Sequence, residues 1–463
     1  MRIMQATQRA SLRSKTSLMR PFLCLLPLAA CTASAEEVRP PVDEIFFPTG
    51  LAIAPDESVL FLANGNSELR YDSGSISVID LALVDSIVGE WIGNTAVPAG
   101  CAVDADHVES LVCDTRRNQN GPAFLSEQAG VRIGNFATDI TVQDLDNGRL
   151  RLVIPTRGDP SIAWADWDGS TLDCNDGAEG FSLCDDDHRL SFAVTDPELG
   201  IPEEPFGVFA DSAGEFAMVT HLTTGAVTLI DSPKNGNATI VDITASVFLP
   251  DQNGLRGATG VAGRSPKTAN DIVYVASRTE DRVQTFTVGR PPNNAGPYLL
   301  AGEYFFLDFV GGNTGNSVDS RGISFSPTGD RLYLVNRRPP SLQVLDTSIN
   351  EAGVPANRPL GATDICRQAS TVTVADSGDG ERAYVTCFQD GQIYVVDPRP
   401  NQVLVEDIVL VGRGPYSVVA APGRKRLYVT NFLEDTLAVI DITPNAPTRN
   451  RVVLRIGIPR NQR

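Results

Sequence analysis

The chain has 463 residues, with 57 acidic and 38 basic side chains and a net charge of −19. A field of that sign makes DNA or RNA a poor partner and excludes nucleic acid as the ligand class. The imbalance mostly reports a soluble, salt-exposed surface.

Residues 1–30 hold five basic and no acidic residues, ahead of an apolar run from Phe22 to Ala30 that is too short to span a bilayer. That pattern predicts an export signal. Its removal takes the basic count from 38 to 33 against 57 acidic residues, a net of −24. The run ends Leu28-Ala29-Ala30-Cys31, which resembles the lipobox of bacterial lipoproteins. The resemblance implies cleavage before Cys31, a lipid on its sulfur and attachment to a membrane through that anchor. Thr32 stands where, by resemblance to enterobacterial sorting, an Asp would hold the protein at the inner membrane, so an outer-membrane lipoprotein is expected. Residues 31–43 read as a linker.

From residue 44 onward one phrase recurs seven times, at 50–80, 139–166, 207–231, 260–288, 322–346, 371–397 and 417–441. Each copy holds three short runs rich in Val, Ile, Leu, Tyr and Thr, separated by Gly, Pro and Asp, and a fourth run such as VEDIVLV (405–411) leads to the next copy. Four strands per unit predict an all-β, seven-bladed β-propeller of four-stranded antiparallel blades over 44–463, with insertions near 83–132 and 167–203. The runs are nearly unbroken apolar stretches, as expected when both faces of a small sheet are covered. Asn147-Gly148, Pro327 to Gly329 and Pro422-Gly423 supply the turn between first and second strands. An Asp closes the third strand in six copies (Asp80, Asp166, Asp231, Asp346, Asp397, Asp441) and is expected to accept turn amides. No amphipathic helical segment of useful length separates the strand runs. The two termini are expected to meet in one blade and close the ring.

Tyr428-Val429-Thr430-Asn431 resembles the signature of the YVTN family of propeller repeats, with weaker copies at 274–277, 333–336 and 384–387. The resemblance implies a seven-bladed ring and little about activity, because the motif residues belong to the blade.

Cys24 lies in the signal and Cys31 takes the lipid. Six Cys remain in an exported chain and predict three disulfides. Fifteen pairings are formally possible, and local pairing of Cys101 with Cys113, Cys174 with Cys184 and Cys366 with Cys387 is the economical one.

In a propeller the loops entering the innermost strands share a face with the loops between second and third strands. The alignment of copies puts Arg256, Arg367 and Arg413 just before the innermost strand, with Arg321 three positions further on. The other loops add Arg157, Arg278, Arg337 and Arg338. Guanidinium groups gathered at one channel mouth of an acidic protein suit a carboxylate-bearing ligand, an acidic glycan or an acidic loop. Local pairing with Asp or Glu is the bland reading of the same residues.

Asp173, Asn175 and Asp176 lie in or beside the Cys174–Cys184 loop and have oxygen ligands for calcium, but their spacing misses the EF-hand pattern and a solvated acidic loop is commoner. No other cofactor is expected. Three His cannot build a multi-histidine copper centre. His221 aligns with Asn431, is expected to face the mouth, and is the one candidate general base.

The residues therefore favour a non-enzymatic, envelope-anchored binding or scaffolding module for a protein, glycan or anionic ligand. The alternative is an enzyme resembling propeller lactonases or quinone-dependent dehydrogenases, acting on an anionic substrate. A structural envelope protein is the third reading, because YVTN repeats resemble those of surface layers.

Overall fold

The computed structural model describes residues 38–174, 181–194, 196–264, 272–292, 296–307, 318–399 and 402–459; the expected export signal and Cys31 lie outside them. The described chain is a seven-bladed β-propeller, each blade built on four antiparallel strands that follow one another in sequence except in blade one, where an insertion precedes the fourth strand, Val131–Ile133. Blade seven, for example, runs from channel to rim as Pro415–Ala421, Arg426–Asn431, Thr436–Asp441 and Arg451–Ile456. The innermost strands touch their neighbours all the way round, blade one against blade seven included.

The signature phrase explains how blades adhere. Tyr274, Tyr333, Tyr384 and Tyr428 are each at most 2% exposed and pack against the second strand of the following blade: Tyr333 meets Ala383 and Val385, and Tyr428 meets Leu60 and Leu62. Burying an aromatic side chain of this size contributes about 2 kcal/mol. The Thr of the phrase stitches inner strands together. Thr430 Oγ1 donates to the Thr49 carbonyl at 2.9 Å, and Thr220 Oγ1 donates to that of Thr259. Close approach is needed there: a Cβ on Gly207 or Gly322 would fall within 3 Å of the next blade's inner strand.

Asp80, Asp346 and Asp441 accept amides of the following turn, from Ala82, Ser348 and Thr443, as expected. Asp166, Asp231 and Asp397 instead pair with Arg151, Arg290 and Arg399. Asp80 caps a helix that the sequence reading did not anticipate, α1 (Leu81–Asn94), which buries Leu81, Val84, Ile87 and Val88. Its apolar face runs straight on from a strand, so the change of period is masked.

The ring closes differently from expectation. Blade seven is wholly C-terminal, and the N-terminal segment adds no strand to it. Blade one's insertion does so instead: Leu111–Cys113 pairs parallel with the rim strand Arg451–Ile456 and carries Cys101–Val103 beyond it. Blade two's insertion likewise extends blade three, where Phe192–Ala193 runs parallel to Thr239–Thr244. Three disulfides join Cys101 to Cys113, Cys174 to Cys184 and Cys366 to Cys387.

Candidate functional site

One hydrogen bond recurs in every blade and defines the face on which the predicted arginines meet. The residue at or just after the end of the second strand donates its N–H to a carbonyl just before the inner strand: Gly65 to Phe47, Arg157 to Phe136, Leu222 to Glu204, Arg278 to Gly257, Arg337 to Asp319, Phe388 to Gln368 and Phe432 to Gly414. Both loop sets are thereby held together around one channel mouth.

The residue before each donor is buried. Asn64, His221, Ser277, Asn336, Cys387 and Asn431 are all 0% exposed. Asn431 Nδ2 donates to the Val411 carbonyl at 2.9 Å and to Thr436 Oγ1 at 3.1 Å. His221 therefore does not face the mouth. Its Nε2 lies 2.8 Å from Thr228 Oγ1 and its Nδ1 3.3 Å from the Glu203 carbonyl, and burial pushes its pKa down to about 4. It fills the blade as a neutral ring, in the place of an Asn.

The arginines divide into groups. Arg321 meets Asp319 at 2.6 Å, and Arg338 meets the same carboxylate at 3.7 Å. Arg337 reaches into blade six, donating to the Ala369 carbonyl at 2.6 Å and to Ser370 Oγ at 2.8 Å. Burial, then the nearby Arg321 charge, pushes the Arg337 pKa down to about 10, and the same two causes lower that of Arg278. Asp319 serves Arg321 and Arg338 and lies in the field of Arg278 and Arg337, so this arc of blades four and five holds an excess of cations. Arg157 is paired with Glu204, and Arg256 donates to the Phe248 carbonyl at 3.2 Å.

Arg367 and Arg413 are exposed, and no described carboxylate pairs with either. Arg413 lines a cavity of about 510 Å³ between blades six and seven with Gln368, Phe388, Gln389, Asp390, Gly391, Gly414 and Leu433. Arg413, Asp390 and Gly391 also border an adjoining cavity of about 300 Å³ that includes His107, Glu434 and Arg455.

Two groups at the mouth were not anticipated. Asp139 occupies the inner-strand position that is Gly50, Gly207, Gly260 and Gly322 in other blades. Its carboxylate accepts N–H bonds from Ile140 at 2.9 Å and Val208 at 3.3 Å, and burial pushes its pKa up to about 7. Tyr416, on the inner strand of blade seven, lies in the combined field of Asp139, Arg157, Arg321 and Arg337. The signal for Asp139 is its departure from glycine at an aligned position. The signal for Phe388 and Phe432 is that they share a column with Arg157, Arg278 and Arg337.

Asp173 is exposed at the end of a two-residue strand, Leu172–Asp173, while Asn175 and Asp176 lie outside the described residues. Among the described residues no group of three His, Cys, Asp or Glu is arranged to hold a metal ion.

Fold and site together define a seven-bladed propeller with a cation-rich, partly aromatic channel mouth. The periplasmic gluconolactonase of Pseudomonas aeruginosa is similar in fold, with a TM-score of 0.51 and 15% identity over 80% of this chain and 87% of that one. A Lactobacillus plantarum protein is similar to the same degree, with a TM-score of 0.51 and 16% identity over 72% and 89%. No protein-family model and no curated protein matches the chain.

Proposed function

We propose that the protein is an exported binding module that captures a small organic anion at its arginine-bearing channel mouth. The observation that carries this reading is Arg413, an exposed guanidinium without a described ion-pair partner on the wall of a roughly 510 Å³ cavity, with Arg367 exposed on the neighbouring loop and likewise without a described carboxylate partner. A cavity of that size suits a small molecule. The excess of guanidinium groups on blades four and five supplies a field that draws anions to the same mouth. Export is supported by the basic, acid-free residues 1–30 and by three disulfides, which persist in oxidising compartments. Anchoring through a lipid on Cys31 follows from the lipobox resemblance, and no described helix is long and apolar enough to cross a membrane.

The fold's likeness to a gluconolactonase supports a second reading, in which the mouth hydrolyses a lactone. His221, buried and neutral, is poorly placed to move protons for it; Asp139, whose pKa is raised, is the better base.

One experiment separates the two. Isothermal titration of the purified full chain against a panel of carboxylates should find binding that weakens at least tenfold when Arg367 and Arg413 are both changed to Glu. Unchanged binding in the double variant would sink the site. Enzyme-like turnover of gluconolactone by the same preparation would replace the binding reading with the enzymatic one.

A further inference from the structure

The two arcs of the mouth differ in chemistry. The residue at or just after the end of each second strand is Arg in blades two, four and five, and Phe in blades six and seven. Phe388 and Leu433 are both partly exposed and give apolar wall to the cavity that Arg413 borders. Behind Phe388 stands Phe432, ring centroids 6.2 Å apart, and Phe432 is braced by Tyr416 at 6.1 Å and Phe47 at 5.9 Å.

The Cys366–Cys387 disulfide acts on this geometry directly. It joins the residue before Arg367 to the residue before Phe388, with Cα atoms 5.8 Å apart, and the Phe388 N–H donates to the Gln368 carbonyl at 3.4 Å. One cross-link thus fixes the spacing of the backbone segments that carry an exposed guanidinium and a partly exposed ring.

We propose that this cavity takes a small aryl carboxylate, its ring against Phe388 and Leu433 and its carboxylate at Arg413. The proposal rests on the anion-binding reading above and names the ligand class of that site. A flat π-system gains offset or edge contact with Phe388 that a saturated ring of similar size does not, and a guanidinium fork matches a carboxylate. Acetate satisfies only the charge, cyclohexanecarboxylate adds apolar bulk without the flat face, and benzoate supplies both.

Calorimetric titration of the full chain with these three anions tests the ordering. Benzoate should bind at least tenfold tighter than acetate and severalfold tighter than cyclohexanecarboxylate. Phe388→Ala should abolish that preference, and Phe388→Leu, which retains apolar bulk, should abolish the benzoate over cyclohexanecarboxylate difference alone. The Cys366→Ser, Cys387→Ser double variant should lose affinity for benzoate more than for acetate. Equal affinities for benzoate and cyclohexanecarboxylate, or an intact preference in Phe388→Ala of unchanged melting temperature, would overturn the aryl assignment and leave anion capture standing. Failure of all three anions to bind the native chain would overturn both.

Discussion

Asp139 shows what one side chain does when it replaces glycine on a packed inner strand. Its carboxylate is held by two backbone N–H groups, and no described cation pairs with it. The facing inner strands contribute no charge at Thr49-Gly50 or Phe206 to Val208, while Tyr416 comes from blade seven and Arg157, engaged by Glu204, from its own blade. Burial wins over the two hydrogen bonds and the pKa rises to about 7 from 3.8. The folded chain therefore holds a proton between pH 4 and 7 that the unfolded chain has released, so this group's contribution to stability falls as pH rises through that window and is level above it. The full penalty is at most about 4 kcal/mol. Asp139→Asn, which cannot ionise, should unfold at higher denaturant than the native chain at pH 8 and lose that advantage near pH 4. Parallel pH profiles for the two proteins would show that Asp139 ionises normally. The sequence holds the residue in plain view, but its meaning depends on an inner-strand register that only the bulged pairing of each blade reveals.

At the scale of the blade, the repeat was the most legible part of the chain, because seven copies of three short, nearly unbroken apolar runs with turn residues at fixed offsets have few other solutions. The same regularity misdirected the reading of its last letter. Asn431 and its counterparts terminate a strand beside a loop, which looks like a mouth position, yet all are buried, and Asn431 turns inward onto a backbone carbonyl and a hydroxyl. The exposed chemistry begins one residue later, at Arg278, Arg337, Phe388 and Phe432. The helix α1 went unseen for a related reason, since only Asp80, which the repeat already assigns to the strand's end, separates the strand's apolar run from the helix's buried Leu and Val. The tyrosines separate packing from polarity within the motif. Tyr274 donates its hydroxyl to Asn357 Oδ1 at 2.8 Å, whereas the buried Tyr428 hydroxyl has no partner among the described residues. Tyr274→Phe should cost about 1 kcal/mol, while Tyr428→Phe should be neutral or stabilising, because it deletes an unsatisfied polar group and keeps the ring. Equilibrium denaturation of both variants checks the contrast, and equal losses would contradict it.

The whole ring must resist opening between its first and last blades, and here the termini do less than the insertions. Blade one meets blade seven through inner-strand packing, through Thr430 donating to the Thr49 carbonyl, and through the Phe47 N–H donating to Asp435 Oδ1 at 2.7 Å. Outside these contacts, Leu111–Cys113 lies parallel on the rim strand of blade seven, with Leu111 opposite Leu454 and Cys113 opposite Ile456. Ser110 donates to the Val452 carbonyl, the Gly457 N–H donates to that of Cys113 at 2.9 Å, and Trp91 in α1 donates to that of Glu109 at 2.9 Å. The insertion therefore acts as a latch across the closure, and Cys101 and Cys113, directly opposed in its hairpin, keep the latch strand extended. None of this was legible in the sequence, which showed the Cys pair and the insertion but not that a loop of the first blade reaches the last. A disulfide closing a loop of this length contributes about 3 kcal/mol in the chain-entropy account. If that stabilisation acts at the closure, replacing both Cys101 and Cys113 with Ser should lower the melting temperature by a few degrees. Hydrogen exchange should then quicken first in Arg451–Ile456 and Pro48–Ile53, ahead of the inner strands of blades three to five. Uniform loss of protection around the ring would show that the cross-link stabilises the fold without guarding its seam.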